Sequence, residues 1–204
     1  NGQTDYLNDT DQYARLGSTS HDDLLGLVLG RDTCETIAAA KDCRTRVVTV
    51  YSLSLADNGD AIIGIKHEYY GMAFDEENRR FAELRPEERA HYYQEAVSGV
   101  AQGARPVGGL TTNFAVYPGI EQFAVEVDHY GIADGRFLYF NLPFTPRLLS
   151  TATNRRTLPL LTGSDSETVI RTEIKLPPDF QHVAISPREV SLDAPDHEGV
   201  CPRN

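Results

Sequence analysis

The chain has 204 residues, 40% hydrophobic and 24% charged, with a net charge of −11 at pH 7 and a pI near 4.9. A chain of this size buries roughly 70% of its unfolded surface and needs no metal or disulfide to fold. The acidic balance argues against nucleic-acid partners, which select clustered Lys and Arg, and against anionic lipid surfaces; no apolar run reaches the roughly 18 residues of a membrane span.

In chain order, Asn1–Gly17 (NGQTDYLNDTDQYARLG) opens without a methionine or signal peptide and runs straight into Tyr6-Leu7-Asn8-Asp9-Thr10-Asp11. Residues 1–20 are therefore expected to be the terminal strand of a preceding domain. Residues 21–45 are expected to be a connector, in which the apolar patch Leu24–Leu29 drapes over the following domain and polar flanks mark loops. Cys34 and Cys43 lie here, Cys34 ahead of a possible short helix at Glu35–Ala40. A disulfide joining them would contribute about 2.5–3 kcal/mol in the chain-entropy model; two free thiols are the alternative. An oxidised pair would favour an exported, periplasmic or extracellular location.

From Arg46 the pattern has period two, with Val47, Thr49, Tyr51, Leu53 and Leu55 on one face. Asn58-Gly59 is a strong hairpin signal, because both residues tolerate positive φ. The return strand, Ala61–Tyr70, places Ile63, Ile65, His67 and Tyr69 together. Helical spacing follows: Pro86 suits a first helical position, Glu87-Glu88 suit the helix dipole, and Ala90, Tyr93, Val97 and Val100 recur on one side, predicting a helix near 86–102. Phe81 and Leu84 are expected to join it from a preceding turn. Strands are predicted at Leu110–Tyr117, Glu121–Tyr130, Arg136–Phe144 (after an Asp134-Gly135 turn), Thr157–Leu161, Thr168–Leu176 and His182–Ile185. The expected fold is mainly β: an antiparallel β-sandwich of about eight strands with one inserted helix, immunoglobulin-like in layout, over residues 46–204.

The candidate chemistry is sparse. No histidine is placed by a motif that would complete a site with Cys34, and Cys201 is a leftover cysteine near the end. His67 and His129 fall on apolar strand faces, where a packed, hydrogen-bonded core histidine is the expected state. His197, in Asp196-His197-Glu198, lacks the spacing of a zinc site. Glu76-Glu77 and Glu87-Glu88 are expected to be solvated dipole partners rather than a glycosidase pair. Gly108-Gly109 belongs to no phosphate-binding loop. Phe137-Leu138-Tyr139-Phe140 could stack sugars or peptides, although alternating aromatics in a strand are more commonly core and cross-strand pairs. No cofactor and no metal are expected.

The opening stretch resembles the end of the catalytic core in bacterial transglutaminase-like proteins: an aromatic-aliphatic strand, Asp-Thr-Asp, then Tyr13-Ala14-x-Leu16-Gly17. Gly26-Leu27-Val28-Leu29, Arg155-Arg156-x-Leu158-Pro159-Leu160 and Ile174-Lys175-Leu176-Pro177 are similar to segments of the same proteins, the last two in their C-terminal β domain. The resemblance implies a papain-like Cys-His-Asp triad whose acid would be Asp9, with cysteine and histidine upstream and Thr10 in place of the usual proline. The chain would then be no enzyme itself but a non-catalytic accessory domain of an exported bacterial protein. It would pack on the upstream core or recruit a partner or substrate. An independent glycan- or protein-binding adhesion-type module, using the aromatic strand and the Thr145–Thr157 loop, is the alternative.

Overall fold

The computed structural model describes residues 11–30, 33–144, 166–180 and 182–185. The first strands, β1 (Leu25–Val28) and β2 (Thr33–Thr36), form a small antiparallel hairpin. The apolar patch does not drape over the domain: Leu25, Leu27 and Leu29 are exposed. The short helix expected at Glu35–Ala40 is absent; β2 takes Glu35 and Thr36, and a single 3-10 turn follows at Lys41–Cys43. Thr33, Thr36 and Ile37 are β-branched, which favours extended backbone there.

The predicted hairpin is the centre of the molecule. β3 (Thr45–Leu55) and β4 (Ala61–Tyr70) pair antiparallel from Leu55↔Ala61 to Arg46↔Tyr70. Gly59, in the turn, has φ +87, and a Cβ there would lie 2.1 Å from the carbonyl oxygen of Gly131. The same contact carries a hydrogen bond from the Gly131 amide to the Gly59 carbonyl (2.8 Å). Only glycine satisfies both the turn and the close approach.

Two helices follow, α1 (Met72–Glu83) and α2 (Pro86–Val100). The expected helix near 86–102 is α2, with Pro86 in its first turn and the Glu88 side chain accepting the Arg85 amide at 2.9 Å. The expected turn before it is a full helix, which buries Phe74 and Phe81.

The chain then returns as β5 (Arg105–Asn113) and β6 (Gly119–Val127), a short hairpin of β7 (Ile132–Asp134) and β8 (Phe137–Tyr139), and β9 (Ser166–Lys175). The main sheet has the order β5-β6-β4-β3-β9. Its ladders are antiparallel except β3·β9, which is parallel, so the sheet is mixed rather than wholly antiparallel. Gly108-Gly109 form a bulge: the register jumps from Val107↔Ala124 to Thr111↔Gln122. The hairpin turn at Asp134-Gly135 forms as expected, but its second strand stops at Tyr139. His182–Ile185 is not a strand, and Thr157–Leu161 lies outside the described residues.

The fold is mainly β, as the alternating patterns imply. Among the described residues, the helices pack on the five-stranded sheet, with Val97 of α2 in its core, and Leu138 of the separate β7–β8 sheet packs against the same core. Side chains there stand in rows across β3, β4 and β6: Leu55–Ala61–Val127, Leu53–Ile63–Val125, Tyr51–Ile65–Phe123, then Thr49–His67–Glu121. The first rows are the core, with Ile63 and Val125 fully buried and Val97 of α2 packed over them. The last row is polar.

Candidate functional site

Glu121 is the anomaly on the inner face. Period two gives it the same direction as Phe123, Val125 and Val127, so a carboxylate is carried into the layer between sheet and helices, where it is 1% exposed. Its Oε2 accepts the Tyr69 hydroxyl (2.7 Å) and its Oε1 accepts the Tyr92 hydroxyl (2.7 Å), one donor from β4 and one from α2. Two hydroxyl donors directed at two oxygens match an acceptor-only carboxylate. Burial, reinforced by the Glu121 charge and hydrogen bonds, pushes both tyrosines well above the ordinary phenol range, so they remain donors.

His67 stands opposite Glu121 in the β4·β6 register, and its Nδ1 shares a hydrogen bond with Thr49 Oγ1 (2.9 Å) across β3·β4. Burial pushes His67 below the ordinary imidazole range, with Glu121 opposing in part, which favours the neutral ring at pH 7. On α1, Glu77 pairs with Arg80 (3.0 Å), whose guanidinium stands 5.4 Å from the Tyr92 ring centroid. Burial raises the Glu77 carboxyl and Arg80 opposes it. With Glu77 and Arg80 offsetting one another and His67 neutral, Glu121 has no cationic partner among the described residues.

Beside this cluster is a cleft of ≈ 190 Å³. The sheet supplies Tyr51, Ile65, His67, Glu121 and Phe123; α2 supplies Tyr92, Ala96, Gly99 and Val100; Pro143 closes one side. Phe144 stacks on Tyr51 at 5.5 Å. On α2 the cleft stripe runs next to the core stripe, and the missing side chain at Gly99 leaves open space. The result is an open cleft with aromatic walls and one buried carboxylate.

Thr49, His67 and Glu121 have the residue types of a nucleophile–base–acid triad, but their connectivity differs from one. Thr49 is buried, does not line the cleft and occupies Nδ1, the nitrogen an orienting acid would hold. Glu121 gives its oxygens to the tyrosines.

The residues singled out from sequence are placed elsewhere. Asp9 lies outside the described residues, as do Cys201, His197 and the Thr145–Thr157 loop. The segment after Asp9 is tied to α1: buried Asp75 accepts the Arg15 amide (2.9 Å) and the Ser18 hydroxyl (2.5 Å), and Arg79 pairs with Asp11. Burial raises the Asp75 carboxyl against these bonds. Cys34 and Cys43 are free thiols, Cys34 exposed on β2 and Cys43 buried in the 3-10 turn. The Cys43 thiol donates to the Leu16 carbonyl (3.5 Å), and burial, then Asp42, pushes it up.

His67 is the packed histidine expected, though it borders a cleft. His129 is not a core residue: β6 ends at Val127, the alternation stops, and His129 turns outward at φ 52 with its amide donating to Asp60 Oδ1 (2.8 Å). Glu87 and Glu88 are exposed as expected, whereas Glu77 is drawn into the cluster. Phe137 and Tyr139 are exposed, with ring centroids 6.0 Å apart, while Leu138 and Phe140 pack on the core. Sequence reasoning missed Glu121, Tyr69 and Tyr92 as a group; the shared parity of Glu121 with Phe123, Val125 and Val127 was the available signal.

A wider depression of ≈ 430 Å³ lies at the other end of β3 and β4, between Arg44, Arg46, Tyr70, Tyr117 and Glu167. Arg46 lies over Tyr70 (4.1 Å) and Arg15 over Tyr117 (4.0 Å), and each is near an acid, Glu167 at 4.0 Å and Asp42 at 3.2 Å. Tyr117 in turn donates to the Asp42 carbonyl, which joins the Arg15 and Asp42 contacts into one cluster. Among the described residues no group of His, Cys, Asp and Glu could hold a metal ion, and no helix is long and apolar enough to cross a membrane. Compared with known proteins, the chain matches no protein-family model, no curated protein and no solved structure, so its function is read from the site itself.

Proposed function

We propose that the chain is a non-catalytic binding domain that holds a partner or substrate group in the cleft beside Glu121, and that it serves as the accessory domain of a transglutaminase-like protein. The observation that carries the binding role is the cleft itself: an aromatic-walled depression on the five-stranded sheet, with a buried carboxylate held by two tyrosines. The polar groups around it are committed to one another, and the described thiols lie away from it, Cys43 against the Leu16 carbonyl and Cys34 exposed on β2. The accessory role and the exported location rest on the resemblance of the first seventeen residues; with Cys34 and Cys43 free, no disulfide adds to them.

The test is a small-fragment screen read by amide chemical shifts on the full chain. Ligands are expected to perturb Ile65, His67, Gly99 and Phe123 together. Shifts confined to the β7–β8 hairpin would favour the adhesion-type alternative instead, for which the exposed Phe137–Tyr139 pair is the supporting observation.

A further inference from the structure

A carboxylate in a water-poor layer is costly unless a positive charge or dense hydrogen bonding offsets it. Glu121 receives two hydroxyl donors, leaving lone pairs unused, and among the described residues no ion pair reaches it, while Arg80, which stands over the ring of its donor Tyr92, is already paired with Glu77. The same carboxylate borders the cleft, whose other walls include the rings of Tyr51, Tyr92, Phe123 and His67. Aromatic faces carry partial negative charge and attract ammonium groups, most strongly where water is excluded. Buried charge and ring faces therefore favour one sign of ligand.

We propose that the cleft binds an alkylammonium group, with Glu121 as its counter-charge and Tyr51, Tyr92 and Phe123 as its aromatic wall. At ≈ 190 Å³ the cleft is smaller than the roughly 300–1,000 Å³ of drug-sized sites, so it takes a side-chain-sized head rather than a whole cofactor. An anionic head would meet Glu121, and a neutral one would leave the carboxylate uncompensated. A free amine and the ε-ammonium of a peptide share this chemistry. The assignment rests on the binding role proposed above and goes further by fixing the sign and size of the ligand.

Calorimetric titration of the full chain at pH 7.5 and matched ionic strength separates the cases. The probes are butylammonium, N-acetyl-lysine methylamide, butanol and butyrate. Saturable binding of the two ammonium probes, with butanol and butyrate silent, is expected; the stronger of the two identifies a free amine or a peptide source. Glu121→Gln, checked for folding by its amide spectrum, is expected to weaken ammonium binding by about tenfold or more. Butanol or butyrate binding in the cleft as well as butylammonium, or unchanged ammonium affinity in Glu121→Gln, would overturn the ligand class and leave the binding role standing. Silence of all four probes, together with a fragment screen that leaves the cleft unperturbed, would overturn both.

Discussion

Glu121 occupies a position that packing alone would give to an apolar residue. Thr49, His67 and Glu121 continue the rows that begin with Leu55, Ala61 and Val127, and the helices cover both ends. A carboxylate kept for its hydrogen bonds would make Glu121→Gln strongly destabilising. A carboxylate kept for a ligand would not, because Gln keeps the shape and the tyrosine hydroxyls can rotate to accept its amide. We expect Glu121→Gln to change stability by no more than about 1 kcal/mol in urea unfolding.

His67 makes a separate prediction at this scale. Its folded value is lowered mainly by burial, so the unfolded chain binds the proton more tightly. Stability from this group is then full above the unfolded value of about 6.5 and is lost as pH falls toward the folded value. Glu121, Tyr69 and Tyr92 face the ring's surroundings, with Glu77 and Arg80 from α1 beyond them; the acid-side changes of Glu77 and Asp75 run in the opposite direction, because burial raises both. The difference in unfolding free energy between wild type and His67→Gln isolates the histidine: it should shrink on acidification from pH 7.5 to pH 5. A difference independent of pH would contradict the burial of a neutral ring.

At the scale of elements, the glycines separate by what surrounds them. Gly59 is confined by Gly131, whereas a Cβ at Gly99 meets nothing within 4 Å. Gly99→Ala should therefore stabilise α2 by about 0.5–1 kcal/mol while narrowing the cleft, a gain in melting temperature accompanied by weaker ammonium binding. The β3–β4 hairpin and α2 were legible in the sequence because their signals are local: Asn58-Gly59 between two alternating runs, and Pro86 ahead of a helical stripe. The parallel β3·β9 pairing was not, since nothing in Ser166–Lys175 specifies a partner so distant in the chain. Leu24–Leu29 read as a connector because a continuous apolar run has no alternation to mark a strand. The site was half legible. His67 was placed on the correct face, but Glu121 was read only as the first residue of its strand and not counted with the inward-facing Phe123, Val125 and Val127, and its tyrosine donors come from two elements whose packing no local pattern reports.

For the whole molecule, stability is set by the rows under α2 and by the tie between residues 11–18 and α1. Ile63 is fully buried at the centre of the sheet, and Ile63→Ala should cost about 2–5 kcal/mol. Ser18 is equally buried and donates to Asp75, so Ser18→Ala should cost about 1–3 kcal/mol by leaving that carboxylate short of a partner; urea unfolding checks both. Neither change touches the cleft, and ammonium affinity should survive them under conditions where the variants are folded. The most direct test of the central claim, that Glu121 is maintained for a cationic ligand rather than for the fold, is urea unfolding of the full chain in butylammonium chloride against sodium chloride of equal ionic strength. A ligand that binds only the native state raises the unfolding midpoint by mass action. The midpoint should rise for wild type and rise clearly less for Glu121→Gln; equal movement of both, or of neither, would contradict the claim.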